Sequence, residues 1–346
     1  MKRESIEERA IKSAPVYKLS ECLALGGWEY SEITSEEIEE ITDYFKRYIC
    51  FFKDEQLKLI DDLIEAQKNN NAFVIEGDEF DFQHLYHEDF VFVFSSENKL
   101  YLIIPDELKN IYEETIKEEN FHAELAYNRE MAKYAIALVN LYGICEIEQF
   151  VAVWNQHHKE KTDRKETERF LDESCEFIED YYLDDGLLIS DCFINDDDID
   201  DLFDEVKNLP YYMPTKRVIS LYGDEDCLEN LPEAKKMSEF LNEYVPNDNI
   251  WADTLRLSII FDCKRLEKPI DIVNTLHDYN FPVTDKEAMD KFEKAYKILF
   301  ENTHMWPLRG FTPYQYEQAT GKKVKPFKIP EFKLVTKNNK KQPKKR

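Results

Sequence analysis

Apolar residues recur at helical spacing over the first strongly patterned part of the chain, residues 35–68. They stand three or four positions apart in two successive runs, so each run predicts a helix with one apolar face. Thr34 and Ser35 precede the first run, where a hydroxyl favours an N-cap. The apolar positions of the two runs are Ile38, Ile41, Phe45, Tyr48, Leu57, Ile60 and Ile64.

The period changes to two at residues 90–105, where two β-rich runs flank Ser-Ser-Glu-Asn-Lys. This alternation predicts a β-hairpin that ends at Pro105, after which helical spacing resumes. Helices, hairpin and helix in this order predict a winged-helix-like unit over residues 1–120.

A second passage repeats that order. Two helices around a turn at Gly143 are followed by a third helix in the stretch DRKETERFLDES. A hairpin is then predicted over residues 176–190, turning at Asp185-Gly186, and an acidic helix follows it. Residues 121–210 are therefore predicted to form a second winged-helix-like unit.

Residues 211–320 show helical spacing only, with helices predicted at 232–245, 249–266, 269–279 and 285–302. Thr284 and Glu287 have the spacing of a capping box for the last of these helices. The fold class predicted is mainly α with small β-hairpins (α+β). It consists of tandem winged-helix-like units followed by an all-helical C-terminal domain.

The stretch ENTHMWPLRGFTPYQY predicts a structural clasp that closes the helical domain over residues 302–320. Asn302 tolerates left-handed geometry at a helix end, and Met305 and Trp306 are expected to fold back on the helix as an apolar anchor. Gly310 permits the chain to reverse, and Thr312 and Pro313 have the spacing of an N-cap and a first-turn proline. Gln315 then completes a second capping box.

Charge divides the chain sharply. The net charge is −27 over 346 residues, yet residues 321–346, here called the basic segment, carry +10. The other 320 residues therefore carry −37, a balance that repels nucleic acid and favours basic partners. The basic segment is predicted to be a disordered tail that either contacts RNA, ribosome or DNA or only solubilises the protein. Its cations are Lys322, Lys323, Lys325, Lys328, Lys333, Lys337, Lys340, Lys341, Lys344, Lys345 and Arg346.

Composition bounds the location of the protein. Seven scattered cysteines without a CxxC pair are typical of a reducing compartment. The chain has no apolar run long enough to span a membrane, and its first residues lack the apolar core of a secretory signal. A cytoplasmic location is expected, with no membrane partner.

Candidate chemistry is sparse, and no catalytic, cofactor-binding or metal-binding residue is predicted. His84 and His87 lack a third metal ligand, and the Asp-rich run 184–205 lacks the calcium-loop frame. Asp262 and Lys264 would suit a metal-dependent nuclease at the end of a strand, but the spacing there is helical. Since nucleotide-binding and nucleophile-elbow glycine motifs are also absent, a non-enzymatic protein is expected, and the nuclease is the enzyme class that fits best.

From about residue 140 onward the chain resembles a family of uncharacterised proteins of Gram-positive bacteria and their mobile elements. The matching stretches are LYGICEIEQFVAVWNQ, LPYYMPTK and FENTHMWPLRGFTP. In these relatives an Asn-Thr-x-Met-Trp-x-x-x-Gly-x-Thr-Pro pattern closes a helical domain. Its positions here are Asn302, Thr303, Met305, Trp306, Gly310, Thr312 and Pro313.

Many members of that family continue into a SEC-C zinc-binding motif, CxCGSGxKxKxCC, the module also found at the C-terminus of the secretion ATPase SecA. This chain instead reads GKKVKPFKIPEF, with no cysteine after Cys263. The resemblance therefore implies no zinc site here. A lysine-rich segment stands where a zinc knuckle is expected, and both suit contact with nucleic acid or ribosome by analogy.

Two function classes follow from the sequence, and the first is favoured. One is a non-enzymatic adaptor whose acidic body binds a protein partner and whose basic segment contacts a polyanion. The other is a winged-helix nucleic-acid-binding regulator of a phage or mobile element, although the acids of DRKETERFLDES cancel Arg164, Lys165 and Arg169 in its recognition helix. An acidic mimic of nucleic acid is a third fit to the charge.

Overall fold

The computed structural model describes most of the chain, with gaps at both ends and between elements. The chain forms two compact units, Met1–Glu130 and Met131–Arg346. Both are mainly α-helical and each contains one small antiparallel sheet, as the composition and periodicity predicted. The described residues are 17–26, 33–69, 71, 73–75, 82–96, 99–193, 198–224, 227–244, 249–266 and 286–324.

Unit 1 places a three-stranded sheet, in the order β1-β3-β2, among its helices. The predicted hairpin is present with shorter strands, which pair from Phe92↔Ile103 to Ser96↔Lys99. Strand β1 was not predicted, because three residues are too few to show a period. The elements are α1 (Leu19–Gly26), α2 (Ser35–Tyr48), α3 (Asp54–Lys68), β1 (Phe73–Ile75), α4 (Gln83–His87), β2 (Phe92–Ser96), β3 (Lys99–Ile103), α5 (Asp106–Thr115) and the start of α6 (Phe121–Tyr142).

The core of unit 1 follows the apolar faces read from the sequence. Thr34 caps α2 through its hydroxyl, which accepts from the Glu37 amide at 3.1 Å. Phe45 on this helix is fully buried, with its ring centroid 4.8 Å from that of Phe90. Gln67, at the end of α3, exchanges two hydrogen bonds with the backbone of Ile104 and so satisfies a buried amide.

Unit 2 begins with a helix, a strand, two helices and two strands. Its sheet has the order β4-β6-β5. The predicted hairpin spans Tyr181↔Ser190 to Asp184↔Leu187 and turns at Asp185-Gly186, both with positive φ. Strand β4 was not predicted, and it pairs with β6 directly after the Gly143 turn. The elements are the end of α6, β4 (Ile144–Glu146), α7 (Ile147–His157), α8 (Arg164–Ser174), β5 (Tyr181–Asp184) and β6 (Leu187–Ser190).

The remainder of unit 2 is helical. Of the four predicted helices, three are confirmed with slightly different ends, while residues 269–279 and Thr284 lie outside the described residues. A 3₁₀ turn at Pro232–Ala234 precedes α12, and another at Trp306–Leu308 lies between α14 and α15. The helices are α9 (Asp198–Val206), α10 (Lys216–Tyr222), α11 (Cys227–Asn230), α12 (Lys235–Tyr244), α13 (Asn249–Lys264), α14 (Lys286–Asn302) and α15 (Pro313–Thr320).

Candidate functional site

The clasp reverses the chain at Gly310, as its sequence pattern predicted, but Asn302 does not adopt the left-handed geometry suggested for it. Asn302 is the last residue of α14, and its side chain donates to the Ile298 carbonyl at 2.8 Å. Left-handed geometry occurs instead at Arg309 and Gly310, with φ of 50° and 78°. Two features favour glycine at position 310. Its φ is positive, and a Cβ at its position would lie 2.6 Å from the ring of Tyr142.

Trp306 is buried, but its neighbours differ from the expected ones on its own helix. It packs in an apolar cluster with Ile144, Ile189 and Phe193, which belong to β4, β6 and the turn that follows. Its indole Nε1 donates to the Asn140 carbonyl at 3.2 Å. The clasp therefore anchors the end of α14 to the small sheet of unit 2.

The second half of the clasp follows its sequence pattern closely. The Thr312 hydroxyl accepts from the Gln315 amide at 3.3 Å, and the Gln315 side chain accepts from the Thr312 amide at 3.0 Å. Pro313 occupies the first turn of α15, and Gly321 ends this helix with φ 72°. The predicted capping box is therefore confirmed, since it depends only on residues close in sequence.

Arg309 was treated as a spacer in the sequence pattern, yet it is fully buried in unit 2. Its Nε donates to the Val206 carbonyl at 3.0 Å, and its Nη1 donates to Glu146 at 3.2 Å and to the Tyr211 hydroxyl. The guanidinium carbon lies 4.0 Å from the centroid of the Tyr211 ring. A buried arginine needs such complete pairing, so Arg309 fastens the clasp to both β4 and the end of α9.

Glu146 supplies the negative charge of this cluster. Burial alone would raise the pKa of Glu146, but hydrogen bonds from Tyr211 and Arg309 outweigh that effect and hold the pKa below its ordinary value. Burial and the neighbouring Cys145 raise the pKa of the Tyr211 phenol, so Tyr211 stays a donor. All three side chains are thereby occupied with one another, and the arrangement suits packing rather than acid–base catalysis.

Lys264 is the second buried cation that the structure brings to the clasp. It is fully buried at the end of α13, which confirms the helical interpretation of this stretch. Its ammonium donates to the Asn140 carbonyl and lies 5.0 Å from the ring centroid of Tyr222 and 5.9 Å from that of Trp306. No carboxylate lies within ion-pair distance of Lys264 in the described parts of the chain.

Burial lowers the pKa of Lys264 to about 8 because a desolvated ammonium loses its hydration. A lysine with such a pKa is a common catalytic group. Here no part of the side chain reaches solvent, so no substrate can meet it in this conformation. Burial likewise lowers the pKa of His304 to about 4, and its imidazole bonds the Gly310 carbonyl within the clasp.

An acidic surface extends over the exposed carboxylates of residues 172–205. Residues 170–206 contain fifteen Asp or Glu and no Lys or Arg. The hairpin and α9 both contact the Trp306 cluster, through Tyr182 and Leu187 and through Ile199 and Leu202 respectively. The exposed acids that define this surface are Asp172, Glu173, Glu176, Glu179, Asp184, Asp185, Asp191, Asp200, Asp201, Asp204 and Glu205.

Helix α8 separates its charges along its length. Asp163 caps it, and the Arg164 guanidinium pairs with Glu148 and lies against the Gly186 turn. Lys165 and Arg169 are exposed one turn apart, before the acids that begin the acidic surface. The cancellation expected from the sequence therefore applies to Arg164, which is paired, more than to Lys165 and Arg169.

Most of the other predicted site residues lie outside the part of the chain that the structure describes. Lys322 and Lys323 are exposed directly after α15, while the cations from Lys325 to Arg346 lie outside the described residues. The side chain of His84 also lies outside them. Among the described side chains, no group of three His, Cys, Asp or Glu residues is placed to hold a metal ion.

Comparison with known proteins adds no family. No protein-family model, curated protein or solved structure matches the chain. Within the described residues, no helix combines the length and apolarity needed to cross a bilayer.

Proposed function

We propose that the protein is a non-enzymatic adaptor whose acidic surface binds a basic protein partner. The observation that carries the proposal is the set of eleven exposed carboxylates on residues 172–205, within a stretch that contains no basic residue. A concentration of one sign of charge steers an oppositely charged partner and selects against nucleic acid. The buried cations at the clasp, Lys264 and Arg309, are each hydrogen-bonded inside unit 2, which favours binding over catalysis.

We further propose that residues 121–210 are a winged-helix module used for protein binding. The order helix, strand, helix, helix, strand, strand and the sheet order β4-β6-β5 support this interpretation. A kinship with SEC-C-related proteins remains part of the same proposal, resting on the clasp pattern from Asn302 to Pro313. We expect the protein to act in the cytoplasm.

The alternative is a winged-helix regulator that binds nucleic acid through α8. Lys165 and Arg169 favour it, since they are exposed on one face of the helix in the position of a recognition element. The acidic surface begins only three residues beyond Arg169, so a duplex on α8 would meet repulsion at once. The adaptor therefore accounts for more of the observed negative charge than the regulator does. A mimic of nucleic acid would use the same acidic surface as the adaptor.

Affinity capture from a bacterial lysate tests the proposal with two matched variants. Asp200→Asn, Asp201→Asn, Asp204→Asn and Glu205→Gln together neutralise the outer face of α9. Glu36→Gln, Glu39→Gln, Glu40→Gln and Asp43→Asn remove the same charge from exposed positions of α2. We expect a basic protein to be retained by the wild type and by the α2 variant, but to be lost by the α9 variant.

Nuclease treatment of the lysate separates the competing functions. A partner that survives nuclease and depends on the α9 acids supports the adaptor. A partner that is itself a nucleic-acid-binding protein, displaced by added DNA, indicates the mimic. Duplex binding with a steep salt dependence that is lost with Lys165→Gln and Arg169→Gln would overturn the adaptor in favour of the regulator.

A further inference from the structure

The outer face of α9 is a row of carboxylates with few partners. Ile199, Leu202 and Phe203 pack against the Trp306 cluster. The acids Asp200, Asp201, Asp204 and Glu205 of the same helix are exposed. Asp204 pairs with Lys207 at 2.6 Å, in an ion pair whose side chains are 72% and 46% exposed, respectively. Asp200, Asp201 and Glu205 make no hydrogen bond or ion pair with any described residue.

The clasp connects this face to the start of the basic segment. Arg309 donates a hydrogen bond to the carbonyl of Val206, the last residue of α9. Helix α15 begins at Pro313, four residues after Arg309. An eight-residue helix is about 12 Å long, and extended residues span about 3.5 Å each. The length of α15 together with that of the extended residues on either side of it places Lys322 within about 40 Å of the end of α9.

Length and charge of the remaining chain match the acidic face. Residues 325–346 number 22, enough to extend about 70 Å. They hold nine Lys or Arg against Glu331 alone, while the acidic surface holds eleven exposed carboxylates. A segment tied to the same molecule experiences an effective concentration in the millimolar range, far above that of a free partner.

We infer that the basic segment occupies the acidic surface of its own molecule, with its lysines opposite the outer face of α9. The inference rests on the proposed function, because it assigns to the basic segment the surface that the partner would use. The basic segment then acts as an autoinhibitory competitor. A basic partner binds only by displacing it, and a polyanion that captures the segment would expose the surface.

Zero-length carbodiimide cross-linking of the full chain tests the docking without any partner. This reagent joins a lysine amine to a carboxylate with loss of water, so it reports direct ion pairs. We expect peptides that link lysines of residues 325–346 to Asp200, Asp201, Asp204 or Glu205 at about 20 mM salt. These links should weaken at about 500 mM salt, where screening acts within about 4 Å.

The matched variants and isotopes decide the result. The links should disappear in the α9 variant and persist in the α2 variant, which carries the same net charge. In a mixture of ¹⁴N- and ¹⁵N-labelled protein, they should join peptides of one label only. Absence of the links, their persistence in the α9 variant, or links only between labels would each overturn the inference.

A labelled decalysine peptide tests the autoinhibition. In a variant with every Lys and Arg of residues 325–346 replaced by Gln, the described helices are untouched. We expect the peptide to bind this variant about tenfold more tightly than the wild type, since the tethered competitor is gone. Equal affinities would overturn the autoinhibitory role. Failure to capture a basic protein from lysate, with the cross-links intact, would instead count against the proposed function alone.

Discussion

The indole of Trp306 lies against Gly143, so that a Cβ built at Gly143 would be 2.8 Å from the ring. Gly143 also has φ +72°, which disfavours any side chain. We predict that Gly143→Ala lowers the free energy of unfolding by about 3 kcal/mol, through backbone strain and overpacking together. Urea denaturation followed by circular dichroism measures this loss.

Gly321→Ala is the matched control for that substitution. Gly321 has the same φ of +72° but no heavy atom within 4 Å of an added Cβ. Only the backbone strain of a side chain at positive φ applies here, so we expect the free energy of unfolding to fall by about 1 kcal/mol. Equal losses of unfolding free energy for the two variants would show that the contact with Trp306 does not restrict the size of the side chain at position 143.

Removing the anchor itself should have a larger effect. Trp306→Ala empties a buried site and breaks the bond from the indole to Asn140, so we predict a loss of about 4 kcal/mol. Tyr314→Ala alters an aromatic residue of α15 that is 67% exposed, and should change stability by less than about 0.5 kcal/mol. Thermal melting of both variants checks the difference, and an unchanged melting temperature for Trp306→Ala would refute the clasp.

The pairing of Arg309 with Glu146 predicts acid sensitivity. Because the folded pKa of Glu146 lies below its ordinary value, its contribution is present above about pH 4.5 and is lost as the pH falls through the folded pKa. Glu146→Gln should therefore cost about 2 kcal/mol at pH 7, moderated by the exposed third of the side chain.

The pH dependence of that cost is the decisive measurement. Wild type and Glu146→Gln should converge in stability once the pH falls below the folded pKa of Glu146, where the carboxyl is protonated in both states of the wild type. A difference that stays constant down to acid pH would mean that packing, and not charge, accounts for the loss. Denaturant titrations at several pH values provide the comparison.

Lys264 predicts a dependence of the opposite kind. Its folded pKa of about 8 lies below the ordinary 10.5, so the ammonium destabilises the fold fully below pH 8. That destabilisation disappears as the pH rises from 8 to 10.5, and it amounts to about 3 kcal/mol. We predict that Lys264→Met loses stability relative to wild type over this window by about that amount.

The comparison with Lys264→Met is needed because other groups titrate in the same range. Burial raises the pKa of Cys227 and Cys263, which makes the fold of both proteins less stable at alkaline pH. The part of these contributions that comes from burial cancels in the difference between wild type and variant, whereas the effect of the Lys264 charge on both thiols belongs to the difference. A difference that does not change between pH 8 and 10.5 would show that Lys264 titrates normally.

Local patterns predicted local structure well in this chain. The Thr312 capping box and the helix Asn249–Lys264 depend on residues within a few turns of one another, so sequence spacing determines them. The strands Phe73–Ile75 and Ile144–Glu146 have three residues each and are defined only by pairing with distant strands. No period within them could have indicated a strand.

The candidate site was less predictable for the same reason. Trp306 was expected against its own helix, but its partners lie more than a hundred residues earlier, at Asn140 and Ile144. Arg309 carried no signal, since an arginine between two conformationally special residues is compatible with an exposed turn. Only the folded structure shows that the Glu146 carboxylate and the Val206 carbonyl accept hydrogen bonds from its guanidinium.

The place of Trp306 in the chain has a consequence for biosynthesis. The cluster of Ile144, Ile189 and Phe193 receives its fourth buried member only after more than three hundred residues have been translated. Contacts of such long sequence separation form late, and domains generally fold as units while the ribosome is still working. Unit 1 is fully synthesised by Glu130, whereas the nascent unit 2 exposes an open apolar cluster over most of its translation. Chaperone dependence of newly made protein should therefore be concentrated in unit 2.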